Sequence, residues 1–209
     1  RRRAAELGVP YVPRVDDALA RSDVDIVSIA HDIERRADLA LRAARAGKHL
    51  WIDKFLGATL EECDAVVAGV AASGVRAIVP SYHYGTLVRH ALEALGTAAI
   101  GDLLGLHVDV MFAKGWPRPI DPGERQPFRP AGRWKYPDLK RELLTVGAYA
   151  VGLVQACFDA PVTGVVAHGD AWFFPEHART GTEDFATLAL TDGAGRVATL
   201  CGGRIGVGT

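Results

Sequence analysis

The sequence predicts an α/β fold in two parts: an incomplete doubly wound parallel sheet over residues 1–80, then an α+β domain with a mostly antiparallel sheet over residues 81–209. In the first part, strand-like and helix-like segments alternate, which is typical of parallel strands joined by right-handed crossovers. In the second part, strand-like segments alternate in polarity or flank a glycine turn, which is typical of antiparallel pairing. A chain of 209 residues is long enough to build both parts.

Three short apolar segments predict the strands of the first part. They span residues 24–30, 50–52 and 77–79, and the first ends in apolar residues on both faces, as buried parallel strands do. Between the first two, residues 37–46 predict a helix, and Gly47 suits a left-handed residue at its end. The capping-box pattern Thr59-Leu60-Glu61-Glu62 predicts a second helix, which Gly74 ends.

The second part begins with a helix predicted over residues 86–95. Residues 106–112 alternate with period two, which predicts a strand with one packed face in an antiparallel sheet. Residues 143–158 predict a largely apolar helix. Further strands are predicted over residues 162–167, 184–190 and 196–200, the last two joined by a glycine-rich turn.

Composition excludes several classes of protein. A net charge of -1 gives no electrostatic basis for binding nucleic acid or an anionic membrane, and no apolar run reaches the roughly 20 residues of a membrane span. The scattered cysteines suit a reducing compartment, and we expect a cytoplasmic protein without disulfides; they are Cys63, Cys157 and Cys201. The seven histidines show no HxH or HxxxH spacing, so no metal site is predicted.

The segment 46–55 contains the strongest candidate for chemistry. A short strand ends there and brings Asp53 and Lys54 to its carboxyl end, where ligands bind in open parallel sheets. Ala30 and His31 follow the first strand in the same way and are candidates for a cofactor crevice. Each assignment has an alternative: Lys54 as a solvated lysine paired with Asp53, which spacing alone favours, and His31 as an ordinary loop residue.

Five landmarks occur in the order found in a known family of oxidoreductases. They are Asp23–Ala30 (family pattern D-x-D-a-V-x-I-A), Ala46–His49 with Asp53–Phe55 (A-G-K-H-V-x-x-E-K-P), Ile100–Asp102 (I-G-x-P), Leu144–Tyr149 (L-x-D-x-G-x-H, with Tyr for His), and Glu183-Asp184 with Asp192-Gly193. The chain therefore resembles the glucose–fructose oxidoreductase / inositol dehydrogenase family (Gfo/Idh/MocA) over nearly its whole length.

The resemblance implies a Rossmann domain that binds NAD or NADP and passes hydride to or from a sugar, a polyol or a related compound. Lys54 would orient the substrate hydroxyl and stabilise alkoxide charge, and Tyr149 would be the acid–base candidate. The implied cofactor-binding residues are Ala30, His31, Asp53 and Lys54, and the implied substrate-binding residues are Thr145, Tyr149 and Trp134. The resemblance also implies a homo-oligomer assembled through the sheet of the second domain. The alternative for Tyr149 is an aromatic residue packed at the start of a helix.

Departures from the family pattern bear on activity. Asp53 and Phe55 stand where the family has Glu and Pro, and Thr145 replaces an aspartate with a side chain that cannot carry charge. Lys140-Arg141-Glu142 replaces a glycine-rich lead-in and is expected to fill space left for substrate. No strand followed by G-x-G-x-x-G occurs, so the pyrophosphate-binding turn is expected before Arg1, in a longer protein whose second domain also continues beyond residue 209.

The aperiodic residues 114–135 form a long connection whose role the sequence leaves open. Its aromatic and arginine residues suit a stacking lid over a sugar, an oligomer contact or an ordered surface loop; they are Trp116, Arg118, Arg129, Arg133 and Trp134. The segment 81–84 is expected either to reach the substrate or to form a packed hinge. Two functions therefore compete: a nicotinamide-dependent oxidoreductase, and a non-catalytic relative that binds sugars or acts as a scaffold.

Overall fold

A computed structural model describes residues 1–80, 85–97, 100–129 and 141–206. The chain divides into two compact units, Arg1–Pro80 and Ser81–Thr209. The predictions made for residues 81–84, Arg133, Trp134 and Lys140 lie outside the described residues. No helix in the described ranges is long and apolar enough to cross a membrane.

Unit 1 is built on a parallel sheet, as predicted. Its elements are α1 (Arg2–Glu6), α2 (Val15–Leu19), β1 (Ile26–Ile29), α3 (Ile33–Arg45), β2 (His49–Ile52), α4 (Leu60–Ser73) and β3 (Ala77–Ile78). The strand order is β1-β2-β3, and both pairings are parallel, with Ile29 opposite Ile52. The carboxyl ends of β1 and β2 therefore lie side by side.

The core of unit 1 lies between this sheet and helix α3. Leu50 and Ile52 of the sheet are buried, and so is Ala40 of α3, whose small side chain permits close packing of helix on sheet. Helix α3 begins at Ile33 and not at residue 37 as predicted. The prediction depended on the Ala/Leu/Arg-rich stretch from residue 37, whereas burial of Ile33 and Arg36 extends the helix by one turn before that stretch.

The predicted helix ends are confirmed. The Thr59 side chain accepts a hydrogen bond from the Glu62 amide at 3.3 Å, and Glu62 Oε2 accepts one from the Ala58 amide at 2.7 Å, so the capping box forms. Gly47 has a φ of 72°, the left-handed conformation predicted at the end of α3, and Gly74, which was predicted to end α4, has a φ of 66°.

Unit 2 combines helices with a four-stranded sheet. Its elements are α5 (Thr86–Gly96), β4 (Gly105–Met111), a 3₁₀ turn (Pro122–Glu124), a π-helical turn (Leu143–Gly147), α6 (Ala148–Phe158), β5 (Val162–Asp170), α7 (Pro175–Thr180), β6 (Phe185–Asp192) and β7 (Val197–Gly203). The strand order is β4-β7-β6-β5. Its core includes Val154 and Phe158 of α6 packed on Leu200 of β7.

The sheet of unit 2 is mixed. The β5–β6 and β6–β7 pairings are antiparallel, and the second is the predicted hairpin. Strand β4, expected in an antiparallel pairing, instead pairs parallel to β7, with Met111 opposite Gly203. Alternation follows from the packing of one face of a strand, and in a mixed sheet such as this one a parallel strand can also have one packed face. The carboxyl ends of β4 and β7 consequently meet at one edge of the sheet.

The helix predicted over residues 143–158 has two parts. Its first turn is π-helical, and regular α-helix begins only at Ala148. The Thr145 hydroxyl donates to the Arg141 carbonyl at 2.6 Å, inside this turn. The turn lies on the end of β7, since a Cβ placed on Gly202 would contact the Gly147 Cα atom at 3.6 Å. Single π-helical turns occur frequently at functional sites.

Candidate functional site

The carboxyl ends of β1 and β2 are held together by one buried arginine. Arg36 is 5% exposed and donates through Nη1 to the Phe55 carbonyl and through Nη2 to the His31 carbonyl, each at 2.7 Å. Its Nη2 also lies 3.4 Å from Asp53 Oδ2. The arginine thus fixes the loops that follow both strands, and with them the backbone on either side of Lys54. Sequence reasoning missed Arg36, because its only local signal was an arginine on the apolar side of a helix.

Lys54 occupies the loop that Arg36 holds. It is half-buried, its Nζ atom lies 5.5 Å from the centroid of the Phe55 ring, and the Lys54–Phe55 peptide bond is cis. The Asp53 carboxylate, 54% exposed, forms its ion pair with Arg36. The backbone of Asp53 is fixed as well, because its amide donates to the Ile29 carbonyl at 2.9 Å. A lysine ammonium held by such a scaffold can bind and stabilise negative charge.

Ala30 and His31 line a cavity of about 540 Å³ beside β1. Ser28 and Ile29 also contribute to its wall, whereas Asp53 and Lys54 lie outside its lining. A volume of this size is in the usual range for small-molecule sites. The structure therefore brings the four predicted cofactor residues to one edge of the sheet, and two of them to one cavity.

In unit 2, the predicted substrate residues Thr145 and Tyr149 lie on successive turns. Tyr149 is half-buried, its ring centroid is 5.9 Å from that of Phe112, and it lines a cavity of about 480 Å³ together with Leu87 and Met111. Thr145 is 7% exposed, and its hydroxyl donates to the backbone. The third predicted substrate residue, Trp134, is outside the described residues.

A buried ion pair precedes these two residues. Arg141 Nη1 lies 2.8 Å from Glu183 Oε2, with side chains 3% and 2% exposed. Glu183 Oε1 accepts a hydrogen bond from the Leu143 amide at 3.2 Å, which ties the π-helical turn to the pair. Burial raises the pKa of Glu183, and Arg141 opposes that rise. Arg141 is therefore buried inside the unit, and the expectation that the charged lead-in fills space left for substrate remains a prediction.

Glu142 is the centre of a second ionic cluster, which we call the Glu142 cluster: Lys114, Glu142, His177 and Arg204. Glu142 Oε1 lies 3.3 Å from Lys114 Nζ, and Oε2 lies 2.8 Å from Arg204 Nε, a pair not aligned as a hydrogen bond. Lys114 Nζ is also 2.5 Å from Nε2 of the fully buried His177. Burial raises the pKa of Glu142, and the two cations oppose the rise.

The described part of the long connection lies along residues 170–181. Arg118 Nη2 pairs with Glu176 Oε2 at 2.5 Å, and the Arg129 amide donates to the Gly181 carbonyl at 2.7 Å. Trp116 is 72% exposed. These contacts order the described part of the connection, and the three roles left open by the sequence remain predictions.

Comparison with known proteins bears on unit 1 first. Residues 1–81 match the GFO_IDH_MocA model, which describes an oxidoreductase family with an NAD-binding Rossmann fold. Over residues 1–81 the chain is thus similar to the Gfo/Idh/MocA family. This match confirms, for unit 1, the resemblance drawn from the sequence motifs. The comparison with curated proteins found no match to the chain.

Solved structures share the fold of the chain at low sequence identity. A probable dehydrogenase from Thermotoga maritima matches with a TM-score of 0.82 and 18% identity, covering 99% of this chain and 59% of its own. The myo-inositol 2-dehydrogenase of Lactobacillus plantarum matches with a TM-score of 0.78 and 16% identity, covering 98% and 58%. The UDP-N-acetylglucosamine 3-dehydrogenase of Acidithiobacillus ferrooxidans matches with a TM-score of 0.67 and 24% identity, and the match covers 97% of this chain and 57% of that protein. This chain thus spans less than two thirds of their length.

The roles that the family resemblance implies for Asp53 and Lys54 remain predictions. The roles of Thr145 and Tyr149 likewise remain predictions. In the described ranges, no group of three or more His, Cys, Asp or Glu residues is placed to hold a metal ion.

The buried His177 predicts an acid-sensitive fold. Burial, and next Lys114, lowers the pKa of His177 from 6.5 to about 4. Between these values the unfolded chain binds a proton that the folded chain does not, so stability falls as pH falls through this window. We expect the free energy of unfolding to drop by on the order of 3 kcal/mol from pH 6.5 to pH 4. Urea denaturation at stepped pH measures the drop.

The His177→Gln variant is the control for this pH dependence. Carboxylates also titrate in the window, but they do so in both proteins, so the difference between the two curves isolates His177. The variant should show the flatter curve. Parallel curves would contradict the prediction.

Proposed function

We propose that this chain is part of a nicotinamide-dependent oxidoreductase that transfers hydride between NAD or NADP and a sugar, a polyol or a related hydroxy or carbonyl compound. The observation that carries the proposal is the position of Lys54. It follows a parallel strand of the unit that is similar to the Gfo/Idh/MocA family, and Arg36 fixes the loop around it through the His31 and Phe55 carbonyls. Ligands of open parallel sheets bind at this edge.

The residues at this edge fit part of the cofactor. Ala30 and His31 line a cavity of suitable size, and Asp53 and Lys54 adjoin it along the sheet edge, so these four would hold the nicotinamide end. Helix α3 does not suit the pyrophosphate, because Asp32 stands at its N-terminus and a carboxylate there repels phosphate. Hydride transfer is the chemistry that a nicotinamide held by these residues would supply.

The protein's own groups would manage the proton and the charge. The Lys54 ammonium would orient the substrate hydroxyl and stabilise the alkoxide that forms as the proton leaves. Tyr149 would accept or return that proton, as the Tyr at the family's His position implies. We also propose a homo-oligomer formed through the sheet of unit 2, where Val165 and Val166 of β5 are 61% and 74% exposed.

A specific observation favours the competing function, a non-catalytic sugar-binding or scaffold protein. The Thr145 hydroxyl is buried and already donates to the backbone, and the site lacks the family's aspartate. Arg141 and Glu142 are buried beside it. A protein with this arrangement could keep the fold without turnover.

The two functions are separated by a test on the protein in its natural length. NADH and NADPH binding is measured by fluorescence, and nicotinamide reduction is measured with a panel of inositols, hexoses and sugar acids. The oxidoreductase proposal expects binding of one nicotinamide and turnover of at least one compound. Sugar binding without nicotinamide binding would reject it and leave the non-catalytic function.

A further inference from the structure

We propose that Lys114 and Arg204 form a binding site for an oxyanion, the carboxylate or phosphate of a sugar derivative, at the carboxyl ends of the parallel strands β4 and β7. The choice of a sugar derivative rests on the proposed function. The anion site itself rests on the contacts of unit 2.

The fold brings these two cations together. Met111 and Gly203 are opposite each other in the parallel β4–β7 pairing, so the segments that follow these two strands leave the sheet at the same edge. Beyond the edge they stay paired, because the Lys114 amide donates to the Gly206 carbonyl at 3.1 Å. Lys114 and Arg204, which are 90 positions apart in the sequence, therefore lie side by side beyond the sheet edge.

Lys114 and Arg204 each have hydrogen-bond donors that their contacts within the Glu142 cluster do not use. Two of the three ammonium donors of Lys114 are directed to His177 Nε2 and Glu142 Oε1, which leaves a third. Arg204 is held at Nε by Glu142, and among the described residues its two Nη groups have no hydrogen-bond partner. The Lys114 and Arg204 side chains are 21% and 37% exposed, so solvent reaches them. An arginine fork beside a lysine suits the oxygens of a carboxylate or phosphate.

The charge of the Glu142 cluster also calls for an anion. Two cations share one carboxylate, and the Glu142 side chain is 6% exposed. His177 is neutral at pH 7, since its pKa is lowered to about 4. The cluster therefore carries a net positive charge in a partly desolvated place, where an unbalanced charge is unfavourable. A bound oxyanion would neutralise it.

Neighbouring carboxylates make their direct contacts with groups outside the Glu142 cluster. Glu183 pairs with Arg141 at 2.8 Å, and Glu176 pairs with Arg118 at 2.5 Å. Asp184 accepts hydrogen bonds from three consecutive backbone amides, those of residues 172–174, at 2.8 to 3.0 Å. The described carboxylates nearest the cluster thus already have partners.

The position of the cluster suits recognition of a small substrate. Glu142 begins the segment that runs through the π-helical turn to Tyr149, about two helical turns away. A ligand whose anionic group is bound by Lys114 and Arg204 would extend along that segment. A neutral polyol would leave both cations unused, so the site points to an acidic sugar derivative.

Ligand-observed NMR titrations at low salt and without nicotinamide test the site. The probes are glucuronate, glucose 6-phosphate and glucose. We expect at least one anionic probe to bind about tenfold or more tightly than glucose, and the tighter of the two identifies carboxylate or phosphate as the group recognised. Lys114→Met and Arg204→Met should each weaken that binding by about tenfold or more. Equal binding of all three probes, or binding unchanged in both variants, would overturn the proposal.

Matched controls keep the result independent of folding and of the proposed function. Arg179→Met removes an exposed arginine of α7, paired with Glu124, and should leave anion binding unchanged. Arg204→Lys should retain part of the affinity if charge is what matters. On the unsubstituted protein, inorganic phosphate should displace the anionic probe, whereas chloride at equal ionic strength should not. Displacement by chloride alone would reject a specific site. Because no nicotinamide is present, failure of the dehydrogenase proposal would not alter these readouts.

Discussion

Replacing Lys54 with methionine is expected to reduce kcat by about 10²- to 10⁴-fold in the protein of natural length. The substitution keeps much of the side-chain volume and removes the ammonium that would stabilise alkoxide charge. The surrounding loop should persist, because Arg36 holds it through the backbone carbonyls of His31 and Phe55. Steady-state nicotinamide reduction measures kcat, and fluorescence titration should show a loss of nicotinamide affinity that is much smaller than the loss of kcat.

Lys48→Met is the matched control for this substitution. Lys48 lies six residues earlier, is half-buried like Lys54, and donates to the Arg21 carbonyl at 2.7 Å, away from the strand end. Its loss should leave kcat unchanged. Equal effects of the two substitutions would contradict a chemical role for Lys54, and so would full activity of Lys54→Met with an unchanged pH profile.

Features of the fold that depend on neighbouring residues could be predicted from the sequence. The capping box at Thr59 and the glycines that end α3 and α4, Gly47 and Gly74, are set by interactions within a few residues, and all three predictions are confirmed. The parallel sheet of unit 1 was predicted from the alternation of strand-like and helix-like segments along the sequence. The same locality explains how Lys54 was singled out, since its place at a strand end is itself a local property.

Features that depend on distant partners could not be predicted. The parallel direction of β4 is set by its pairing with β7, about ninety residues later, and periodicity within β4 is compatible with either direction in a mixed sheet. Arg36 and Glu183 are charged residues that would be assigned to the surface by composition. Their burial depends on acceptors and ion-pair partners that only the folded chain supplies, at Phe55 and Arg141.

Replacing Arg141 with methionine is expected to lower the free energy of unfolding by about 3 to 5 kcal/mol. The substitution leaves the Glu183 carboxylate, 2% exposed, without its cation, and an unpaired buried charge is far costlier than a lost surface pair. Arg141 also donates to the Arg129 carbonyl, so that acceptor loses its donor too. Urea denaturation at pH 7 measures the loss. Arg179→Met, which breaks the exposed pair with Glu124, should cost less than about 1 kcal/mol.

A second substitution and a change of pH identify the source of that loss. Arg141→Met combined with Glu183→Gln should be more stable than Arg141→Met alone, because a neutral amide tolerates burial better than a carboxylate. Burial already raises the pKa of Glu183, and removing Arg141 should raise it further. The single variant should therefore recover stability relative to the unsubstituted protein as pH falls and Glu183 takes up a proton. A loss that is the same at acidic and neutral pH, with no recovery in the double variant, would assign it to packing around Arg141 and not to the buried charge.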